Sequence, residues 1–134
     1  MNAHSTKSIL VIEDEPVTRT LYVNYISKLV PDFHLYEADN VLEGACLCFE
    51  KHPDLILLDI IMPDYGGELL LDLMEEGISK DILSFSPKII VISSIESAEE
   101  LMTLTKKIAV ASVIPKPLPF DTLEELIKIH LQMN

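Results

Sequence analysis

Ser8-Ile9-Leu10-Val11-Ile12, Asp54-Leu55-Ile56-Leu57-Leu58 and Lys88-Ile89-Ile90-Val91-Ile92 decide the fold class. Each is a continuous apolar run of strand length with no polar alternation, the pattern of a strand buried on both faces of a parallel sheet. His34-Leu35-Tyr36-Glu37-Ala38 and Val110-Ala111-Ser112-Val113-Ile114 are weaker strand candidates. Between these runs lie stretches of helical periodicity: Leu21, Tyr22, Tyr25, Ile26 and Leu29; Leu42, Ala45, Cys46 and Phe49; Leu69, Leu70, Leu73 and Met74; and Leu123, Leu126, Ile127 and His130. Asn40 with Glu43, Ser97 with Glu100 and Asp121 with Glu124 have the spacing of an N-cap and a carboxylate three residues on, and Gly77 stands where the third helix should stop. Strand and helix alternate five times, which predicts a doubly wound α/β domain, because right-handed crossovers place helices on both faces of a parallel sheet. In such folds ligands sit at the carboxyl ends of the strands.

The length of 134 residues suits one domain, expected over 1–134, and 49% hydrophobic content can fill its core without disulfides. Twenty-two acidic residues against 10 basic ones leave a formal charge of −12, which repels phosphate backbones and anionic lipid alike. Neither direct nucleic-acid binding nor membrane association is expected of this domain. The apolar runs are too short to span a bilayer and Met1 to Ser8 is polar, so a cytoplasmic location is expected. Cys46 and Cys48 are two apart in a helical pattern and do not face each other, so they read as reduced, partly buried thiols.

The chemistry stands at the strand ends. The first strand runs into Glu13-Asp14, the third into Asp59, the fourth into Ser93-Ser94 and the fifth into Lys116-Pro117. If those strands are neighbours, Glu13, Asp14 and Asp59 converge, and carboxylates so close stay ionised only beside a cation. A hard divalent ion such as Mg²⁺ resolves the repulsion. Lys116 adds a fixed positive charge and Ser93 a hydroxyl. A carboxylate beside a metal, an ammonium group and a hydroxyl suits nucleophilic phosphoryl transfer, with an aspartyl phosphate as product.

These residues and their order resemble the receiver domain of two-component response regulators of the chemotaxis-regulator type, over essentially the whole chain from Ser8 to Met133. The likeness rests on Ile12-Glu13-Asp14-Glu15, on Leu57-Leu58-Asp59-Ile60-Ile61-Met62-Pro63 with Gly66-Gly67, on Ser93-Ser94, and on Lys116-Pro117. It implies a flavodoxin-like three-layer sandwich with strand order 2-1-3-4-5. Asp59 would be the phosphoacceptor and Asp14 a direct Mg²⁺ ligand. Glu13 would act directly or through water, and the backbone carbonyl of Ile61 would be a further ligand. Ser93 would be the hydroxyl that moves to bond the phosphoryl group, Ser94 would offer a backbone N–H to it, Lys116 would pair with it, and the Lys116–Pro117 bond would be cis. A histidine kinase or histidine phosphotransfer protein would be the donor, facing apolar residues of the first helix and the strand–helix loops. The domain would catalyse its own phosphorylation and dephosphorylation without being a stand-alone enzyme. A downstream protein, a fused output domain or a homodimer would carry the signal onward. No output domain is expected within this chain, which suits either a single-domain regulator or a receiver from a longer protein.

Taken alone, each signal has a plain structural reading. Glu13, Asp14 and Glu15 before Pro16 suit a helix start, Asp59 a turn, Ser93 and Ser94 a helix entry, and Lys116 an exposed loop. Their joint register with five strands favours the site. The histidines His4, His34, His52 and His130 lack metal-ligand spacing, and Met62 and Met74 read as packing. Three departures from the family pattern stand out. Val113 replaces the usual Tyr or Phe and cannot make its rotamer swing. Pro115 fits only an edge or ending strand. Ala109-Val110 stands where a glycine turn is common. Apolar Ile61, two residues after Asp59, would hinder an attacking water and lengthen the phosphoryl lifetime. It also stands where aspartate-nucleophile phosphatases commonly carry a second acid. That phosphatase reading and a receiver-like interaction module without phosphorylation are the alternatives.

Overall fold

The computed structural model describes residues 6–61, 66–80, 87–94, 98–107, 110–116 and 118–131. Among these residues five strands alternate with five helices: β1 (Ser8–Ile12), α1 (Pro16–Leu29), β2 (His34–Ala38), α2 (Val41–Lys51), β3 (Leu55–Asp59), α3 (Gly67–Ser79), β4 (Lys88–Ser93), α4 (Ala98–Thr105), β5 (Val110–Pro115) and α5 (Phe120–His130). All strand pairs are parallel and the sheet order is β2-β1-β3-β4-β5, the flavodoxin-like arrangement. Every residue of β1 and β3 is buried, as their unbroken apolar runs require.

The sheet separates two apolar layers. On one face Leu10, Ile12, Ile56, Leu58, Ile89 and Val91 pack with Val41, Ala45 and Cys48 of α2 and Leu70, Leu71 and Met74 of α3. On the other, Ile9, Val11, Leu55, Leu57, Ile90 and Ile92 meet Tyr22 and Ile26 of α1 and Leu123 and Ile127 of α5. The alternation of consecutive strand residues between the two layers is the period-two geometry of a strand. Pro115 ends β5, which is an edge strand, and the missing amide is tolerated there.

Several local expectations need correction. In α2 the buried face is Val41, Gly44, Ala45 and Cys48, while Leu42, Cys46 and Phe49 are exposed. Gly44 explains the phase: a Cβ there would lie 2.5 Å from Ile12 Cδ1, so the helix approaches β1 along its smallest residue rather than its largest. The thiols therefore differ, Cys48 buried beside the Met74 sulfur at 3.7 Å and Cys46 exposed. Gly77 does not stop α3, which runs on to Ser79. Asp121 is not an N-cap either: Pro119 holds that position, Asp121 falls in the first turn, and Glu124 accepts a hydrogen bond from the Tyr25 hydroxyl at 3.2 Å. Asn40 does cap α2, its Oδ1 accepting from the Glu43 amide at 2.8 Å. Ser97, Met62, Pro63, Ala109 and Pro117, and with it the expected cis bond, lie outside the described residues.

Candidate functional site

Register brings the strand ends together. Ile12 pairs with Leu58, Asp59 with Ile92, and Ser93 with Pro115, so the residues at or just beyond these positions share one rim of the sheet. Backbone bonds extend the alignment past the strands, from Glu13 N to Ala38 O at 3.1 Å, Ile60 N to Ile92 O at 3.1 Å and Lys116 N to Ser93 O at 2.9 Å. The turn after β1 is divided between two tasks. Glu15 caps α1, accepting from the amides of Val17 at 3.3 Å and Thr18 at 2.6 Å, while Pro16 takes the first helical position. Glu13 and Asp14 are thereby left to face Asp59. Behind them, Gly67 starts α3 against the end of β3; a Cβ there would sit 2.8 Å from Asp59 O and 2.9 Å from Ile60 Cα.

Glu13, Asp14 and Asp59 each offer a carboxylate oxygen within 4.8 Å of the others'. Glu13 is 1% exposed and Asp59 2%, whereas Asp14 is half-buried. Lys116 Nζ donates to Asp59 Oδ2 at 3.0 Å and to Glu13 Oε1 at 3.3 Å. The second oxygens are also held: Glu13 Oε2 accepts from the Glu15 amide and Asp59 Oδ1 from the Ile61 amide, both at 3.1 Å. Burial, then a hydrogen bond and the charge of Glu13, push the Asp14 carboxyl above its ordinary range, although its own backbone and Lys116 oppose the rise. Burial works to lower the Lys116 ammonium, but the hydrogen bond and charge of Asp59, followed by those of Glu13, outweigh it and raise the group. One lysine thus faces three carboxylates, and the donor set, all hard oxygens around a shared point, suits a hard divalent cation.

Of the residues singled out in the sequence, Glu13, Asp14, Asp59 and Lys116 meet directly. Ser93 is buried on the same rim, Ser94 is exposed just beyond it, and Ile61 is 52% exposed above Asp59. The Ile61 amide is held at Asp59 Oδ1, which keeps this backbone beside the cluster. Sequence reasoning missed Arg19. Its Nη1 donates to Glu13 O at 2.9 Å and its Nε pairs with Glu37 Oε1 at 3.3 Å. The available signal was a lone arginine one helical turn after Glu15 in a very acidic chain.

The response regulator receiver domain family matches residues 9–128. The chain belongs to this family. Among curated relatives of this receiver domain, the nitrate/nitrite response regulator protein NarL of Escherichia coli K12 is 34% identical over 127 residues, covering 94% of this chain and 56% of NarL. The transcriptional regulatory protein MalR of Bacillus subtilis is 32% identical over 118 residues, covering 85% of this chain and 46% of MalR. The receiver domain thus spans about half the length of the curated relatives it matches. Among solved structures, the N-terminal domain of an uncharacterized Wolinella succinogenes protein is similar at a TM-score of 0.80 and 28% identity, covering 95% of each chain. The signal receiver domain of a DNA-binding response regulator from Colwellia psychrerythraea shares the fold at a TM-score of 0.82 and 22% identity, covering 95% of this chain and 99% of that one. No helix among the described residues is long and apolar enough to cross a membrane.

Proposed function

We propose that this chain is a single receiver domain over residues 1–134 whose Asp59 accepts a phosphoryl group from the phosphohistidine of a histidine kinase or histidine phosphotransfer protein. The observation that carries the reading is the Asp59 carboxylate at the end of β3, nearly buried yet bonded to Lys116 at 3.0 Å and grouped with Glu13 and Asp14. Glu13, Asp14, Asp59 and the Ile61 carbonyl would hold Mg²⁺, which supplies charge neutralisation for the phosphoryl oxygens. An Asp59 oxygen attacks phosphorus in line as the P–N bond to the donor imidazole breaks, so the imidazole leaves with the bonding pair and an acyl phosphate forms. Lys116 moves its ammonium from the carboxylate oxygen to a phosphoryl oxygen, and Ser93 and the Ser94 amide donate to the others. The same groups orient water for later hydrolysis.

The donor would dock over α1. A cleft of about 480 Å³ lined by Thr18, Leu21, Tyr22, Lys116, Leu118 and Phe120 opens beside the cluster, and exposed Val17 and Leu21 of α1 flank it. This is the apolar approach over α1 that a phosphohistidine donor needs to reach Asp59. Phosphorylation would redistribute charge around Ser93 and Lys116, with a downstream protein, an output domain or a second copy as reader. The experiment is incubation with acetyl phosphate or phosphoramidate and Mg²⁺, followed by intact-mass analysis. An acid-stable, base-labile phosphoryl adduct that disappears in Asp59→Asn is expected. No adduct, or one that survives that substitution, would refute the reading and leave a receiver-like interaction module without phosphorylation.

A further inference from the structure

We propose that Arg19 is a positioning residue for the cation site, acting on Glu13 and Asp14 through the main chain of the β1–α1 turn; this rests on the reading of that cluster as the Mg²⁺ site. Arg19 stands in the first turns of α1, its amide donating to Glu15 O at 2.9 Å, with a side chain only 20% exposed. Its side-chain hydrogen bonds go to the Glu13 main-chain carbonyl and to Glu37, not to the three clustered carboxylates. Its Nη1 holds the Glu13 carbonyl at 2.9 Å, and its Nε is held by Glu37 of β2 at 3.3 Å. The Glu13 amide is tied to β2 as well, donating to Ala38 O at 3.1 Å. Glu13 is therefore anchored to β2 at both ends of the residue, directly through its nitrogen and through the Arg19–Glu37 pair at its carbonyl.

The consequence lies in the next bond. The peptide linking Glu13 to Asp14 is planar and stiff, so fixing the Glu13 oxygen also fixes the direction in which Asp14 leaves the strand. Asp14 is the most exposed of the three clustered carboxylates, and its approach to the others depends on that turn. A guanidinium suits the task because its nitrogens form a rigid fork that engages two acceptors at once. A lysine ammonium carries the same charge without the fork.

Charge and position predict opposite outcomes here, which makes the role measurable. Removing a positive group near a cation site should tighten Mg²⁺ binding if charge alone matters. Losing the hold on the turn should weaken it, by on the order of tenfold as for other residues that orient ligands from outside the coordination shell. The experiment is isothermal titration of the whole chain with Mg²⁺, for wild type, Arg19→Gln and Arg19→Lys, with folding monitored by far-UV circular dichroism and melting in EDTA. Arg19→Gln is expected to bind about tenfold more weakly, Arg19→Lys more weakly than wild type by a smaller factor, and both to label Asp59 with acetyl phosphate once Mg²⁺ is saturating. Arg19→Lys carries the test should Arg19→Gln fail to fold. Tighter or unchanged Mg²⁺ binding in a folded variant would overturn the inference and leave the site reading intact. Wild-type chain that bound no Mg²⁺ would bring down both.

Discussion

Replacing Lys116 with Met should destabilise the metal-free protein, and the loss should be smaller once Mg²⁺ is bound. Lys116 Nζ sits 3.0 Å from Asp59 and 3.3 Å from Glu13, two carboxylates that are almost wholly enclosed, while its own side chain keeps 29% exposure. Removing one partner of a buried ion pair costs about 3–5 kcal/mol, and the lysine's remaining contact with solvent places this case near about 3 kcal/mol. For a chain of this size that corresponds to a fall in melting temperature of roughly 10 °C. The sign with pH follows from the raised lysine: its contribution is complete below the ordinary lysine value of about 10.4 and fades only as pH rises through the higher folded value. Melting curves of wild type and Lys116→Met at pH 7, in EDTA and with Mg²⁺, supply the comparison. The deficit should shrink when Mg²⁺ replaces the missing positive charge. A deficit equal under both conditions would mean that the lysine stem contributes by packing, and the electrostatic account of the cluster would be wrong.

Gly67→Ala should cost about 1–3 kcal/mol in thermal melts, because its methyl would press on the Asp59 and Ile60 backbone; a neutral result would show that α3 can shift freely. Cys46 should react promptly with a thiol reagent at pH 8, whereas Cys48, pushed up to about 11 by burial, should react only on unfolding. Two equally fast thiols would contradict the packing of α2. His130, 3.0 Å from Ser112 Oγ, is lowered first by burial and then by Lys88. The unfolded chain therefore takes up that proton first as pH falls through the ordinary histidine value of about 6.5, and stability drops until the lower folded value is passed. His130→Gln should flatten this limb between pH 7.5 and 5, and an unchanged slope would exclude His130 as its source.

Strands were the most legible part of the sequence, because the interiors of β1, β3 and β4 are buried on both faces and polar residues stand only at their ends. Helix faces were less so. Leu42 and Phe49 look like core by size, yet Gly44 and Ala45 turn inward, since close approach of α2 to β1 rewards small residues and leaves the large ones outside. Glu13, Asp14, Asp59 and Lys116 were readable from position alone, each standing at a strand end or within two residues beyond it. Arg19 was not, because its partners are a main-chain carbonyl and a residue on another strand, and neither leaves a mark in local spacing.

Pro115 bears on how other molecules can read this domain. Lys116 directs its amide inward to Ser93 O, so the preceding position along the strand faces outward, and there the proline ring stands where a hydrogen-bond donor would be. Beside the site, the outer margin of the sheet therefore lacks one donor that an incoming strand would need, which disfavours pairing there. Recognition at this end therefore falls more to side chains and helix surfaces than to the backbone of the sheet edge.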